Sequence, residues 1–276
     1  MYLLYLMDYI NSIILGLVQA ITEFLPISSS GHLVIFHRFM DSKLLNSLTF
    51  DVMLHGGTLL AVLIYFWQEV VNIIKNFFLT LFRFKITHDF RQQLPWFLII
   101  ATVPAALLGY FFDDFIEQTF RSVHWVILML LVGAFLFIVA EKSFSKNRSL
   151  DSMTFFDALL IGLVQVLAFI PGTSRSGITI VAGLSRRLKR AEAARFSFLL
   201  SLPVILGAVI RKITQIPLSD FSVGFIFVSV LGILTAALVG YLVIKLFLKF
   251  LENRSLLIFA VYRVILALVL IVIFLF

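Results

Sequence analysis

The chain has 276 residues, of which 61% are hydrophobic and 13% are charged. Because soluble domains carry about 25% charged residues, this composition predicts an integral membrane protein. The net charge of +7 forms no basic stripe apart from the apolar segments, which excludes nucleic acid as a partner. Cysteine is absent, which excludes disulfides and thiolate metal ligands. No cleaved signal peptide is expected, since the first residues, MYLLYLMDYI, lack a basic leader.

Six stretches have the roughly 20 apolar residues that a transmembrane helix needs. These predicted spans are 48–67, 94–112, 123–140, 194–212, 221–244 and 256–276. Two further apolar stretches, 10–25 and 156–170, are too short or too broken to span, and a proline follows each. Since proline cannot continue a helix, and a short helix restarts near Gly31 or Gly177, each stretch predicts a re-entrant hairpin. The expected fold class is an all-α polytopic membrane protein with six transmembrane helices and two re-entrant hairpins.

The two broken stretches resemble each other. GLVQ begins at Gly16 and again at Gly162, and both copies lead to a proline and a Ser-Gly break. Chance similarity is the alternative, but it does not account for three shared features in the same order. Three spans follow each hairpin, and this odd number places the second copy upside down. We therefore predict one membrane domain over 1–276, with an inverted-topology repeat of 8–141 and 154–276 and a site near the midplane.

Basic residues predict the orientation of the chain. The loops rich in lysine and arginine are 68–93, 141–155, 186–195 and 245–254. Alternating crossings place all four on one face, which we expect to be cytoplasmic. The first hairpin then enters from outside, and the second enters from the cytoplasm.

The first break lies within QAITEFLPISSSGH, residues 19–32. Gln19 and Glu23 are four residues apart and therefore share one helix face. A carboxylate at this depth is costly, so Glu23 is a candidate functional residue. It suits a ligand for a hard divalent cation, assisted by the Gln19 amide oxygen, or a general base. A structural hydrogen bond to a neighbouring helix is the alternative.

Ser28, Ser29 and Ser30 precede the helix that is predicted to restart near Gly31. Free amides at a helix N-terminus, with serine hydroxyls beside them, form an anion-binding pocket. Helix capping by one serine is the alternative, and it leaves two hydroxyls unexplained. His32 is a candidate base or nucleophile beside this pocket, with a structural hydrogen-bond donor as the alternative.

The second break, PGTSRSG, contains Arg175 flanked by Thr173, Ser174 and Ser176. A guanidinium at the tip of a buried hairpin matches phosphate oxygens bidentately. Structural pairing with Glu23 is the alternative, and both interpretations are compatible if phosphate displaces the carboxylate. If the two tips converge, cation ligand, nucleophile, base and arginine form a phosphoryl-transfer site.

Four other polar residues have weaker signals. Asp51 and His55 are expected to support the site or to lie at the membrane interface. Arg195 is expected to extend to the cytoplasmic boundary, and Arg263 either to do the same or to pair with a carboxylate.

Both motifs resemble the signatures of the bacterial undecaprenyl-diphosphatase (bacitracin-resistance) family. The resemblance covers essentially the whole chain, including FDVMLHGGTLLAVLIYFW, FSFLLSLPV and the terminal FAVYR. Gln19 stands where other members of the family carry glutamate, which weakens the case for an essential charged ligand at that position.

The resemblance implies hydrolysis of undecaprenyl diphosphate at the outer face of the bacterial plasma membrane, which recycles the lipid carrier for peptidoglycan and gives bacitracin resistance. It implies a divalent cation, Mg²⁺ or Ca²⁺, with Glu23 and Gln19 as its expected ligands. The expected catalytic residues are Glu23, Ser29, His32 and Arg175. The residues expected to bind substrate are Gln19, Ser28, Ser30, Thr173, Ser174 and Ser176. The expected partners are the polyprenyl diphosphate and membrane lipids, with a homodimer left open.

Attack by Ser29 is the preferred mechanism, with His32 or Glu23 as base. A phosphohistidine route through His32 and direct attack by water stay open. A polyprenyl-phosphate flippase or transporter is the alternative function, because inverted repeats with broken helices are typical of secondary transporters.

Overall fold

The computed structural model describes residues 2–39, 42, 45, 48–83, 86–120, 122–215 and 222–275. Over these residues the chain forms eleven α-helices and two short 3₁₀ turns, Leu150–Ser152 and Val166–Phe169. The helices are α1 (Tyr2–Phe24), α2 (Ser29–Phe39), α3 (Leu48–Tyr65), α4 (Trp67–Arg83), α5 (Phe90–Phe120), α6 (Val123–Ser143), α7 (Phe155–Gln165), α8 (Arg175–Ser185), α9 (Arg190–Ile213), α10 (Val223–Asn253) and α11 (Leu257–Leu275). The predicted all-α class is confirmed.

Within the described ranges, five helices are long and apolar enough to cross a membrane. The candidate spans are Phe90–Phe112, Val123–Ser143, Arg190–Ile213, Val223–Asn253 and Leu257–Phe274. Thr49–Tyr65 and Trp67–Arg83 make a sixth if the pair counts as one span, although they meet at an angle of 84°. The chain is therefore a multi-pass membrane protein, and the first predicted span, 48–67, corresponds to α3, which α4 follows after the bend.

Several predicted boundaries are wrong. The helix assigned to 10–25 begins at Tyr2, and α4 occupies much of the predicted loop 68–93. The helices α5 and α10 run through most of the predicted loops 113–122 and 245–254. Neither of these two segments contains glycine or proline within its helical part. No helix-breaking residue therefore ends the helix at the point where the sequence becomes less hydrophobic. Residues 216–220 of the predicted loop 213–220 lie outside the described residues.

The helices pack so that the two broken segments meet inside the bundle. Helix α1 packs against α10, and α7 packs against α5. Helix α3 contacts α9, and α6 contacts α11. A hydrogen bond from backbone to side chain joins the two hairpins, because the amide of Gly172 donates to Oγ of Ser30 over 3.1 Å. The predicted convergence of the two tips is therefore present.

Ion pairs, two of them on buried carboxylates, gather at the end of the bundle that carries the basic loops. The Glu141 carboxylate, only 3% exposed, receives a hydrogen bond from Arg190 over 2.6 Å. Asp157 is fully buried and pairs with Arg148 over 2.9 Å and with Arg186. Arg195 pairs with Glu69 at 2.9 Å. The sequence analysis expected only that its side chain would extend to the membrane boundary, and did not predict this ionic partner.

Candidate active site

The non-helical residues of the two hairpins, 25–28 in the first break and 170–174 in the second, end in a serine with a positive φ. Ser28 has φ 74° and Ser174 has φ 67°, a conformation that is uncommon for residues other than glycine and clusters at functional sites. Both hydroxyls cap the helix that follows. Oγ of Ser28 accepts the amide of Gly31 over 3.3 Å, and Oγ of Ser174 accepts the amide of Gly177 over 3.2 Å. The helix N-termini at the two breaks are thereby held in the same way.

Glu23 is the centre of the hydrogen-bond network. Its Oε1 accepts a hydrogen bond from Nη2 of Arg175 over 2.8 Å, and its Oε2 accepts one from Oγ of Ser29 over 3.1 Å. Oε2 also accepts Nε2 of Gln19 over 3.2 Å and lies 3.7 Å from Nε2 of His55. One carboxylate, only 7% exposed, therefore joins groups from α1, α2, α3 and α8.

Arg175 is held on two sides. Its second terminal nitrogen donates to the carbonyl oxygen of Ser197 over 3.0 Å, while the first binds Glu23. The predicted structural pairing is therefore present. Arg175 also lines a cavity, so an anion in that cavity can reach the guanidinium and compete with the carboxylate.

This cavity has a volume of ≈ 340 Å³ and contains groups from both breaks. The polar and charged lining residues are Thr22, Glu23, Ser28, Ser29, Ser30, His55, Gln165, Ser174, Arg175 and Lys212. The apolar lining residues are Val52, Ala105, Ala168, Phe169, Val204, Ile205, Ala208 and Val209. A cavity with both kinds of wall suits a ligand that has an anionic head and an apolar chain. A second cavity of ≈ 470 Å³, between α4, α5 and α9, is lined by none of the motif residues.

His32 does not line the cavity, and both of its ring nitrogens have partners. Nδ1 lies 2.8 Å from the carbonyl oxygen of Ser28, and a carbonyl only accepts, so Nδ1 carries a proton. In the neutral ring Nε2 then accepts the hydroxyl of Tyr262 over 2.7 Å. The lone pair that would make His32 a base or nucleophile is therefore already engaged.

Thr173 and Ser176 shape the second break without lining the cavity. The Thr173 hydroxyl donates to the carbonyl oxygen of Ile170 over 2.7 Å. Oγ of Ser176 is buried and lies 3.2 Å from Oγ of Ser174. Gln19 also lies behind the lining and reaches the site through Glu23.

His55 belongs to the site. Its Nδ1 donates to the backbone carbonyl oxygen of Asp51 over 2.8 Å, which turns Nε2 toward Glu23. The Asp51 carboxylate itself lies 3.1 Å from Nε2 of His37. The sequence left Asp51 and His55 either supporting the site or lying at the membrane interface. The contact with Glu23 supports the first interpretation for His55.

Three polar cavity residues, Thr22, Gln165 and Lys212, were missed in the sequence. Thr22 lies next to Glu23 in the first motif, and its hydroxyl donates to the carbonyl oxygen of Val18 over 2.7 Å. Gln165 is the second-copy counterpart of Gln19 in the GLVQ repeat, so the repeat contained the signal that would have found it. Lys212 had no such signal, because apolar periodicity does not tell which of the basic residues ending α9 faces inward.

Both interpretations of Arg263 are wrong. Its side chain is fully buried, without extension to the interface, and within the described residues none of its hydrogen bonds goes to a carboxylate. Its acceptors are the backbone carbonyl oxygens of Pro26, Met129, Leu130, Gly172 and Thr173.

The donor set suits a cation that is shared with a phosphate ligand. Over the described residues, no group of three or more His, Cys, Asp or Glu side chains could hold a metal ion. The oxygen donors near the cavity are the Glu23 carboxylate, the serine hydroxyls and Oε1 of Gln19, which is buried without a hydrogen-bond partner in the described part of the chain. Because Mg²⁺ is usually bound by one or two carboxylates plus substrate phosphates, one carboxylate with these neighbouring oxygens would be enough protein ligands for such a cation.

Comparison with known proteins gives a consistent result. Residues 12–269 match the family model described as bacitracin resistance protein BacA. An undecaprenyl-diphosphatase of Moorella thermoacetica is 42% identical over 271 residues, which is 97% of this chain and 98% of the relative. One of Rubrobacter xylanophilus is 41% identical over 95% of this chain and 97% of its own. One of Methanosphaera stadtmanae is 38% identical over 97% and 98% of the two chains.

Proposed function

The chain belongs to the bacitracin resistance protein BacA family, and we propose that it is an enzyme hydrolysing undecaprenyl diphosphate to undecaprenyl phosphate and inorganic phosphate. One observation carries the proposal most directly. The Ser29 hydroxyl donates to the Glu23 carboxylate, and the same carboxylate holds Arg175 from the opposite break. The nucleophile Ser29, the base Glu23 and the phosphate-binding guanidinium of Arg175 therefore belong to one hydrogen-bond network, at the wall of a cavity that is partly apolar.

The geometry favours Ser29 as the nucleophile and Glu23 as its base. Oγ of Ser29 attacks the terminal phosphorus, and Glu23 accepts the hydroxyl proton. The bond from that phosphorus to the bridging oxygen breaks, and undecaprenyl phosphate leaves with the proton that Glu23 had accepted. Water then attacks the phosphoserine, with Glu23 taking a proton from the water. Glu23 returns this proton to Oγ of Ser29 as the phosphorus–Oγ bond breaks and inorganic phosphate leaves. Arg175 binds the oxygens of the transferring group and stabilises their charge.

Glu23 and Gln19 are the protein groups that would hold a divalent cation, Mg²⁺ or Ca²⁺, together with phosphate oxygens of the substrate. Such a cation neutralises charge that develops on the phosphoryl group. Removing it with a chelator should abolish phosphate release, and restoring Mg²⁺ or Ca²⁺ should return it. Release that continues at full rate in chelator would exclude the cation.

The proposed function is tested by phosphate release from a long-chain prenyl diphosphate in detergent. Wild-type protein should release phosphate, and a folded Ser29→Ala variant should not. If folded wild-type protein binds the lipid and releases no phosphate, the enzyme proposal is wrong.

A trapping experiment separates Ser29 from His32 and from direct attack by water. Protein should be quenched in acid and in alkali during turnover of substrate labelled in its terminal phosphate. Phosphoserine survives acid, phosphohistidine survives alkali, and direct hydrolysis leaves no label on the protein. We expect acid-stable label that is lost in Ser29→Ala, because Nε2 of His32 is engaged by Tyr262.

We also propose that the site opens to the outside of the plasma membrane and that the chain is an inverted repeat. The basic loops and the buried ion pairs share one end of the bundle, which supports a cytoplasmic assignment for that end. The pairing of α1 with α10 and of α7 with α5 supports the repeat. Since the chain has no native cysteine, Ser122→Cys should react with an impermeant thiol reagent in whole cells, and Asn147→Cys should react only after lysis.

Transport of a polyprenyl phosphate is a second candidate, because the two breaks share their backbone form as transporter repeats do. Folded Ser29→Ala protein in liposomes tests it directly. Movement of labelled prenyl phosphate between leaflets by this variant would support transport, and absence of movement would contradict it.

A further inference from the structure

Arg263 is a buried cation, and in the part of the chain that the structure describes all of its hydrogen bonds go to backbone carbonyl oxygens. Its side chain has 0% exposure in the middle of α11. Nε donates to the carbonyl oxygen of Leu130 over 3.1 Å, and Nη1 donates to that of Pro26 over 3.3 Å. Nη2 donates to Met129 over 2.8 Å, Gly172 over 2.9 Å and Thr173 over 3.1 Å. Burying a charge is costly unless it is hydrogen-bonded, and here five carbonyl oxygens accept hydrogen bonds from the three guanidinium nitrogens.

These carbonyls come from the two breaks and from the helix beside them. Pro26 belongs to the first break, two residues before Ser28. Gly172 and Thr173 belong to the second break, directly before Ser174. The remaining two carbonyls lie in α6. One guanidinium therefore joins both breaks to α6 and α11, and a side chain with fewer or differently directed donors cannot do so.

We infer that Arg263 is a positioning residue for the reaction: it fixes the two breaks relative to each other and so sets where Arg175 stands with respect to Ser29 and Glu23. The inference rests on the proposed function. It matters for rate because displacing a catalytic group by about 1 Å can cost roughly 10²-fold. Arg263 does not line the cavity, so it acts through the residues that do.

The chain offers a variant that displaces the guanidinium without removing it. A Cβ atom at Gly133 would lie 2.2 Å from Nη2 and 2.5 Å from Cζ of Arg263. The ring of Phe137 lies 5.5 Å from Cζ, so the guanidinium is enclosed by neighbours. Gly133→Ala must therefore shift this group away from its carbonyls. Gly207→Ala is the matched control, since a Cβ there meets nothing within 4 Å.

The experiment measures kcat, KM and melting temperature for wild type, Gly133→Ala, Gly207→Ala and Arg263→Lys. Gly133→Ala should lower kcat by about tenfold or more at a temperature where the protein is fully folded, and Gly207→Ala should match wild type. Arg263→Lys should also lower kcat, because an ammonium cannot reproduce the planar fork. Phosphate release by wild type and Gly207→Ala reports on the proposed function separately.

If Arg263 had a purely structural role, its displacement would lower stability without changing how Arg175 binds the phosphoryl group. The variants are therefore also made in an Arg175→Lys background. There Gly133→Ala should cost little further rate, because the group that it misplaces has already been altered. Wild-type kcat in folded Gly133→Ala would overturn the inference, as would the same fractional loss in both backgrounds. If Gly133→Ala does not fold, Arg263→Lys is judged by the same two criteria.

Discussion

The two breaks have the same backbone and different chemistry. Ser28 and Ser174 have nearly equal φ values, 74° and 67°, and each caps the helix that follows. Each capping hydroxyl also contacts the serine two residues later, over 3.1 Å to Ser30 and 3.2 Å to Ser176. The first residue of the following helix differs, because the first break has a serine there and the second has an arginine.

The approach to each break differs as well. Helix α1 stays regular to its end and places Glu23 beside the first break, whereas α7 tightens into a 3₁₀ turn that ends at the apolar Phe169. The two breaks are therefore followed by helix N-termini of similar form, and such N-termini favour anions. In the proposed mechanism, the first hairpin supplies the nucleophile Ser29 and the base Glu23, and the second supplies the guanidinium of Arg175.

The largest expected effect is on the nucleophile of the first break. Ser29→Ala should lower kcat by about 10⁴-fold or more, because removing a nucleophile leaves only binding and electrostatic stabilisation. Ser229→Ala is the matched control, since that buried hydroxyl has no partner in the described part of the chain. Phosphate release measures both. Near-normal turnover by Ser29→Ala would end the assignment of Ser29.

The base of the first break should come next. Glu23→Gln keeps the shape but loses the charge that accepts the proton, so kcat should fall by about 10²- to 10⁴-fold. The same substitution at Glu69, which pairs with Arg195 at the other end of the bundle, should change turnover little. Equal losses in the two variants would show that Glu23 has no special role.

The clamp of the second break should show a smaller loss when its charge is kept. Arg175→Lys should lower kcat/KM by roughly 10²-fold, because the bidentate fork is lost while the positive charge remains. Arg195→Lys is the matched control at a pair remote from the cavity. Full activity in Arg175→Lys would contradict this prediction, because it would show that the positive charge is sufficient and the bidentate guanidinium is not needed.

The smallest effect should come from the shared caps. Ser174→Ala removes the hydroxyl that holds the Gly177 amide, so the protein should lose about 1 kcal/mol of stability. Thermal unfolding in detergent measures this loss. Ser28→Ala should lower the melting temperature by a similar amount, and a loss at only one of the two sites would contradict the equivalence of the breaks.

The sequence predicted the meeting of the two hairpins better than the course of the helices. Proline, serine, glycine and the repeated GLVQ are local signals, so the hairpins and their meeting could be inferred. The 84° bend after Tyr65 could not, because no proline or glycine marks it. Arg263 was misinterpreted because its partners are backbone carbonyls up to 237 residues away, and a carbonyl has no sequence signature. Lys212 was missed because the inward face of a helix is decided by packing.

The most direct test of the account asks whether Ser29 and Arg175, from opposite breaks, act on one phosphoryl group. The measurement is kcat/KM with radiolabelled prenyl diphosphate for wild type, Ser29→Ala, Arg175→Lys and the double variant. Groups that act as a unit are strongly non-additive, so the double variant should lie within about tenfold of Ser29→Ala alone. If the two losses multiply in full, the breaks work independently and the shared active site is wrong.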